Sequence, residues 1–107
     1  ALNDNFADGK DVSWIWDIDF ENAKYPMPNS KCPIYVSGIR AFDMALRLKY
    51  AGVEEKNMVI DQNLEQQFDK AIKETEGKLF VLPTYTALME LQKILVEKGI
   101  KKEYWKE

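Results

Sequence analysis

The stretch PIYVSGIRAFDMALRLKYAG, residues 33–52, sets the fold class. Ile34-Tyr35-Val36 is a short apolar run rich in β-branched residues, and Ser37-Gly38 breaks it. Ala41, Met44, Ala45 and Leu48 then recur at helical spacing, with Gly52 past the last turn. The same unit repeats twice downstream. Met58-Val59-Ile60 leads into a helix with Leu64, Phe68, Ala71 and Ile72 inward and Gly77 beyond its end. Leu79-Phe80-Val81-Leu82 leads into a helix with Leu88, Leu91 and Leu95 inward, ending at Gly99. Strands that are apolar throughout are buried on both faces, as in a parallel sheet covered by helices. Three such units in succession predict an α/β fold: a Rossmann-like, mostly parallel sheet with helices on both faces.

Upstream the pattern is less regular. Leu2 and Ser13-Trp14-Ile15-Trp16 are read as lying on two further strands. On a strand, Trp14 and Trp16 point to opposite faces, one into the core and one outward. Residues 22–32 (NAKYPMPNSKC) read as a loop, and Tyr104 and Trp105 of the tail are expected to cap the sheet edge.

A chain of 107 residues makes about one domain with a modest core. No apolar run approaches the ~20 residues of a membrane span. The start has neither Met nor a basic segment, so it reads as a piece of a longer protein with no targeting peptide. Cys32 is the single cysteine, which excludes an internal disulfide and a cysteine zinc site; it reads as a structural thiol. The chain has no histidine, so a self-contained Cys–His or Ser–His hydrolase is excluded. Basic residues alternate with acids and form no stripe, which argues against nucleic acid as a partner.

The charge is lopsided. The first 21 residues hold Asp4, Asp8, Asp11, Asp17, Asp19 and Glu21 against Lys10 alone, a net −5 in a chain whose total is −3. Such crowding costs stability unless a partner or a function holds it in place. In open α/β sheets ligands gather beyond the carboxyl ends of the strands. Asp17 and Asp19, Ser37 to Arg40, Asp61 to Asn63, and Pro83 to Thr86 fall there and should converge. Asn63 and Thr84 suit helix N-caps, with Gln66 three residues after Asn63. Arg40 opens a helix, where the dipole disfavours a cation; it is either solvated or has a carboxylate or phosphate partner, for which Asp17 or Asp19 would serve.

Three roles compete for the acids. A positioned aspartate in a histidine-free domain serves a histidine on another chain, fixing its tautomer and stabilising its charged form. A docking module uses its acidic face and outward Trp only to bind a partner. A magnesium- or phosphate-binding receiver-like domain is the weakest, because Pro83-Thr84 stands where a receiver needs a lysine.

Four motifs, in order, carry a resemblance: Asn3 to Gly9 with Asp11 to Asp17, then Val36 to Ala41, Met44 to Gly52, and Val81 to Ala87. Together they resemble the C-terminal domain of the MurT family, the Mur-ligase-like subunits of lipid II isoglutaminyl synthase. The likeness runs from residue 1 to about Trp105. It implies a Mur-ligase-type C-terminal domain over residues 1–107, cut from a protein whose ATP-binding domain, magnesium ligands and four-cysteine zinc ribbon lie upstream. ATP and Mg²⁺ then belong to the full-length protein, and this domain alone binds neither, holds no metal and is inactive.

The resemblance further implies a GatD-like class I glutamine amidotransferase partner, which releases ammonia and carries the Cys and His of a triad. The ligase subunit uses ATP to activate the D-glutamate α-carboxyl of lipid II, and ammonia converts it to D-isoglutamine in peptidoglycan synthesis. The triad's acidic member is implied to be Asp17, with Asp19 as the alternative acid. Asp4, Asn5 and Asp8 are implied to lie in a nucleotide-proximal loop, and Trp16 and Arg40 to support the interface. The implied location is cytoplasmic, at the inner face of the bacterial membrane. The competing expectation is a non-catalytic module that docks a partner subunit through its acidic face.

Overall fold

The computed structural model describes residues 1–21 and 33–99. The predicted loop with Cys32, and Tyr104 and Trp105 of the tail, lie outside the described residues. Within them, β1 (Ile34–Val36) and β2 (Met58–Ile60) pair in parallel, Ile34 opposite Met58 and Val36 opposite Ile60. α1 (Ala41–Tyr50) crosses between them, and α2 (Leu64–Glu74) and α3 (Tyr85–Glu97) follow β2. The fold is α/β and Rossmann-like, as the repeated strand–helix units predict.

The apolar stripes divide into two main clusters. Ala41, Ala45 and Leu48 of α1 bury against Val36 and Val53, with Phe20, Ile34, Met44 and Met58 at the margin. Leu64 of α2 buries with Ala87, Leu91 and Ile94 of α3, and Ala1, Phe68 and Leu95 pack around them. Two expected inward residues are displaced. Leu88 is exposed, and the buried face of α3 runs instead through Ala87, Leu91 and Ile94. Ile72 is exposed as well, and Gln67 joins Leu64 and Ala71 on the buried face of α2. Its side-chain amide donates to the carbonyls of Val36 at 3.0 Å and Val59 at 2.6 Å, tying α2 to both strands. A buried amide is tolerated because those carbonyls satisfy it.

The segment around the tryptophans is a 3₁₀ helix, Ser13–Asp17, and not a strand. The Asp11 carboxylate accepts the Ser13 N–H at 2.9 Å and starts the turn. Three residues per turn put Val12 and Ile15 on one side, where they bury with Leu2 against Met44. Trp14 and Trp16 therefore both face outward, and Ile15 takes the core position expected of a tryptophan.

Leu79-Phe80-Val81-Leu82 is not a third strand paired in the β1–β2 sheet. Its neighbour is the chain's own beginning. The Ala1 nitrogen donates to the Leu82 carbonyl and the Thr84 N–H donates to the Ala1 carbonyl, on either side of Pro83, in the spacing of a parallel pair. On the other side, Leu2 N–H donates to the Ser37 carbonyl and Arg40 N–H to the Leu2 carbonyl, both at 2.9 Å. Leu2 is thus strand-like, interposed between the end of β1 and residues 82–84. The side chains of Phe80 and Leu82 are 67% and 69% exposed.

Gly38 makes this threading feasible. Its φ is +99°, and a Cβ there would stand 2.4 Å from the Leu2 carbonyl oxygen. Gly38→Ala is expected to destabilise the fold by on the order of 3 kcal/mol, combining left-handed strain with expulsion of Leu2. A thermal melt unchanged from wild type would contradict this.

Candidate functional site

The N-terminal segment is clamped by side chains as well as by main chain. Asn3 is buried; its N–H donates to Thr84 Oγ1, its Nδ2 to Thr86 Oγ1, and its Oδ1 accepts from Ile39 N–H, all within 3.0 Å. Thr84 sits at the N-cap of α3 as expected, but its hydroxyl serves Asn3 and makes no cap bond. Asn63 does cap α2, accepting the Gln66 N–H at 3.0 Å.

Residues 5–8 form a short turn, with Phe6–Asp8 as a 3₁₀ helix. Asp8 closes it. Its carboxylate accepts the Asn5 N–H at 3.1 Å and the Thr86 N–H at 2.6 Å, and it takes a short hydrogen bond from the Thr86 hydroxyl. Burial pushes the Asp8 carboxyl up, but hydrogen bonds from Thr86, from the Asn5 N–H and from the Thr84 hydroxyl outweigh it and lower the net value. Asn5, also bonded to Thr86 Oγ1, is exposed with Phe6 and Ala7 at the tip of the loop.

Arg40, at the N-cap of α1, does have carboxylate partners, and they are Asp4 and Asp43. Its Nε lies 2.6 Å from Asp43 and its Nη1 3.0 Å from Asp4, which hold the guanidinium firmly protonated. Asp43 also neutralises the adverse dipole at that helix end. Asp17 and Asp19 take no part in this pairing.

The 3₁₀ helix Ser13–Asp17 runs along the flank of α1, from Arg40 and Asp43 toward Tyr50. What anchors its far end is Arg47, whose side chain is buried. Arg47 Nε donates to the Ile15 carbonyl at 2.9 Å; Nη2 donates to the Ile18 carbonyl at 2.6 Å and to Glu21 Oε1 at 2.5 Å. The guanidinium also stands 5.2 Å from the Trp16 ring centroid and 5.2 Å from that of Phe20. Trp16 in turn meets Tyr50 edge-on, with centroids 5.6 Å apart.

Most of the crowded acids are thereby accounted for. Asp4 binds Arg40, Asp8 binds the Thr86 turn, Asp11 starts the 3₁₀ helix and Glu21 binds Arg47. Asp19 is engaged too. Asp17 differs: it is exposed and, among the described residues, makes no hydrogen bond or ion pair. A free carboxylate on a held backbone is suited to accept an N–H from another molecule. An open hollow of about 250 Å³ lies along the same 3₁₀ helix toward its start, lined by Lys10, Asp11, Trp16, Arg40 and Asp43 among others.

The predicted convergence is only partial. Ser37 to Arg40 and Pro83 to Thr86 meet at Asn3, and Gln62 joins them by donating to the Ile39 carbonyl at 3.0 Å. The crevice they enclose is filled by Leu2 and Asn3 rather than open to a ligand. Asp17 lies elsewhere, by the second half of α1; seven helical residues, about 10 Å of rise, separate Arg40 from Arg47. No three carboxylates or thiols gather as a metal site among the described residues. Sequence reasoning missed Arg47, although a signal existed: it lies three residues beyond Met44, on the inward edge of the α1 stripe.

With this geometry in view, the chain matches the family described as MurT ligase C-terminal over residues 1–88. It is 38% identical over 101 residues to the MurT subunit of lipid II isoglutaminyl synthase (glutamine-hydrolyzing) of Streptococcus pneumoniae (strain ATCC BAA-255 / R6). That alignment covers 92% of this chain and 22% of the relative. The proteins of the same name from Staphylococcus aureus strains COL and N315 are each 38% identical over 88 residues, covering 82% of this chain and 19% of theirs. The chain thus spans about a fifth of the length of these relatives.

The lowered Asp8 carboxyl has a consequence for acid stability. A group held below its ordinary value of 3.8 stabilises the fold above that pH, and the contribution is lost as pH falls through its folded value. Melting temperature followed from about pH 5 to pH 1 should therefore fall less steeply for Asp8→Asn than for wild type. Parallel curves would show that the Thr86 bonds do not favour the ionised form.

Proposed function

The chain belongs to the MurT ligase C-terminal family, and from that premise we propose that it is the C-terminal domain of an ATP-dependent amidoligase subunit whose Asp17 completes the triad of a glutamine amidotransferase partner. The observation that carries the proposal is the state of Asp17: exposed, without a partner among the described residues, and fixed at the end of an anchored 3₁₀ helix. The same observation favours Asp17 over Asp19, which is engaged.

In this reading the partner, a class I GatD-like subunit, carries the nucleophilic Cys and the His. Asp17 accepts one imidazole N–H, selects the tautomer that leaves the other nitrogen free as a base, and stabilises the imidazolium that forms. Glutamine is hydrolysed to glutamate and ammonia on the partner. The ligase subunit activates the D-glutamate α-carboxyl of lipid II, and ammonia displaces the activating group to give D-isoglutamine. The names of the relatives, glutamine-hydrolyzing and lipid II isoglutaminyl synthase subunit, support both halves. A cytoplasmic location, at the inner face of the membrane where a lipid-linked substrate is presented, belongs to the same proposal; no helix among the described residues is long and apolar enough to cross a membrane.

ATP supplies the activation of the carboxyl group. A site elsewhere for it and for Mg²⁺ is supported by Leu2 lying against Gly38 at the strand-end crevice and by the bonds of Asp4 to Arg40 and of Asp8 to the Thr86 turn. We therefore assign nucleotide and metal to a domain outside this chain. The nucleotide-proximal role of the Asn3–Gly9 loop then falls to its exposed tip, Asn5 to Ala7, with Asp4 and Asp8 shaping the loop from beneath.

One observation favours the competing docking role. Phe42, Leu46 and Tyr50 form an exposed apolar stripe along α1 that continues into Trp16. The stripe flanks Asp17, so docking and catalysis would use one face. Asp17→Asn in the full complex separates them: the proposal expects glutamine hydrolysis to fall on the order of 10⁴-fold with association intact. Weaker association with normal turnover at saturation would leave docking alone.

A further inference from the structure

We propose that Arg47 is the positioning residue for Asp17, an inference that rests on the triad role just given. Asp17 has no bond of its own among the described residues, so its position is inherited entirely from its backbone. Arg47 grips that backbone on both sides: it donates to the carbonyl of Ile15, two residues before Asp17, and to that of Ile18, one residue after. The two bonds bracket Trp16 and Asp17, and the guanidinium carbon lies 5.2 Å from the Trp16 and Phe20 ring centroids. Glu21 supplies the compensating charge at 2.5 Å.

Burial makes this arrangement informative. The Arg47 side chain is only 4% exposed, and desolvating a guanidinium is costly unless acceptors replace water. A simple apolar contact between the 3₁₀ helix and α1 needs only Ile15, Val12 and Met44, which already pack there. The guanidinium adds something those contacts lack, a fixed spacing between two carbonyls set by the planar fork. Lysine has no such fork. A carboxylate that must meet an imidazole on another chain needs placement to a fraction of an ångström, and a misplacement of about 1 Å costs roughly 10²-fold in rate.

The test uses the full-length subunit in complex with its amidotransferase partner, with steady-state glutamine hydrolysis as the readout. Arg47→Met is expected to lower kcat about 10²-fold with the KM for glutamine within about twofold, and Arg47→Lys to lie between it and wild type. In an Asp17→Asn background, Arg47→Met should cost less than about twofold more, because both residues act through one carboxylate. A full multiplicative loss in the double variant would mean a general structural role and overturn the proposal. So would a wild-type kcat for Arg47→Met alongside a crippled Asp17→Asn. Near-normal turnover of Asp17→Asn itself would instead remove the triad reading beneath. Should Arg47→Met fail to fold, the same cycle run with Arg47→Lys decides by the same non-additivity.

Discussion

Three residues of main chain, Ala1 to Asn3, hold the two halves of this domain together. They lie between the end of β1 and residues 82–84, bonding to Ser37 and Arg40 on one side and to Leu82 and Thr84 on the other. Among the described residues the sheet has two regular strands of three residues each, too little to organise three helices. The interposed segment carries the hydrogen bonding across, and each of its side chains joins a different part of the packing. Leu2 buries with Val12 and Ile15, Ala1 packs against the α2–α3 cluster, and Asn3 links the two loops beside it.

That same threading shapes the end of the sheet. In an open α/β sheet the crevice beyond the strands is the usual ligand site, and here Leu2 and Asn3 fill it. The carboxylates near it become structural: Asp4 neutralises Arg40, and Asp8 stitches the following turn to α3. On the flank of α1, Arg47 holds the backbone around Asp17 at the surface beside an apolar stripe, the edge to which the proposed function assigns the chemistry. The domain has no histidine, and Asp17 is exposed and unengaged among the described residues, which is what the proposed triad role builds on.

Particular residues mark how far the sequence could be read. The α1 stripe of Ala41, Ala45 and Leu48 was legible because one unbroken apolar period faced a single cluster. The Asn63 cap was legible because a cap depends on residues three apart in the chain. Ser13 to Trp16 was misread as a strand, since four residues cannot distinguish a period of two from a period of three; the Asp11 turn selected the latter. Arg40 was correctly suspected of a carboxylate partner, but Asp4 and Asp43 could be chosen over Asp17 only once the loop and helix were placed in space. Thr84 carried the right cap position and a different task, because Asn3, eighty-one residues away, claimed its hydroxyl.

Sequence by itself determined the α/β class, the extents of the three helices and the absence of any imidazole of the chain's own. These follow from local periodicity and from which residue types the chain contains. Tertiary structure alone decided which acids are spent and which is free, which strand end is filled, and that a buried arginine rather than a tryptophan anchors the Asp17 segment. Those outcomes depend on hydrogen bonds between residues far apart in the chain. Each such bond is worth making only after packing has removed water from its partners.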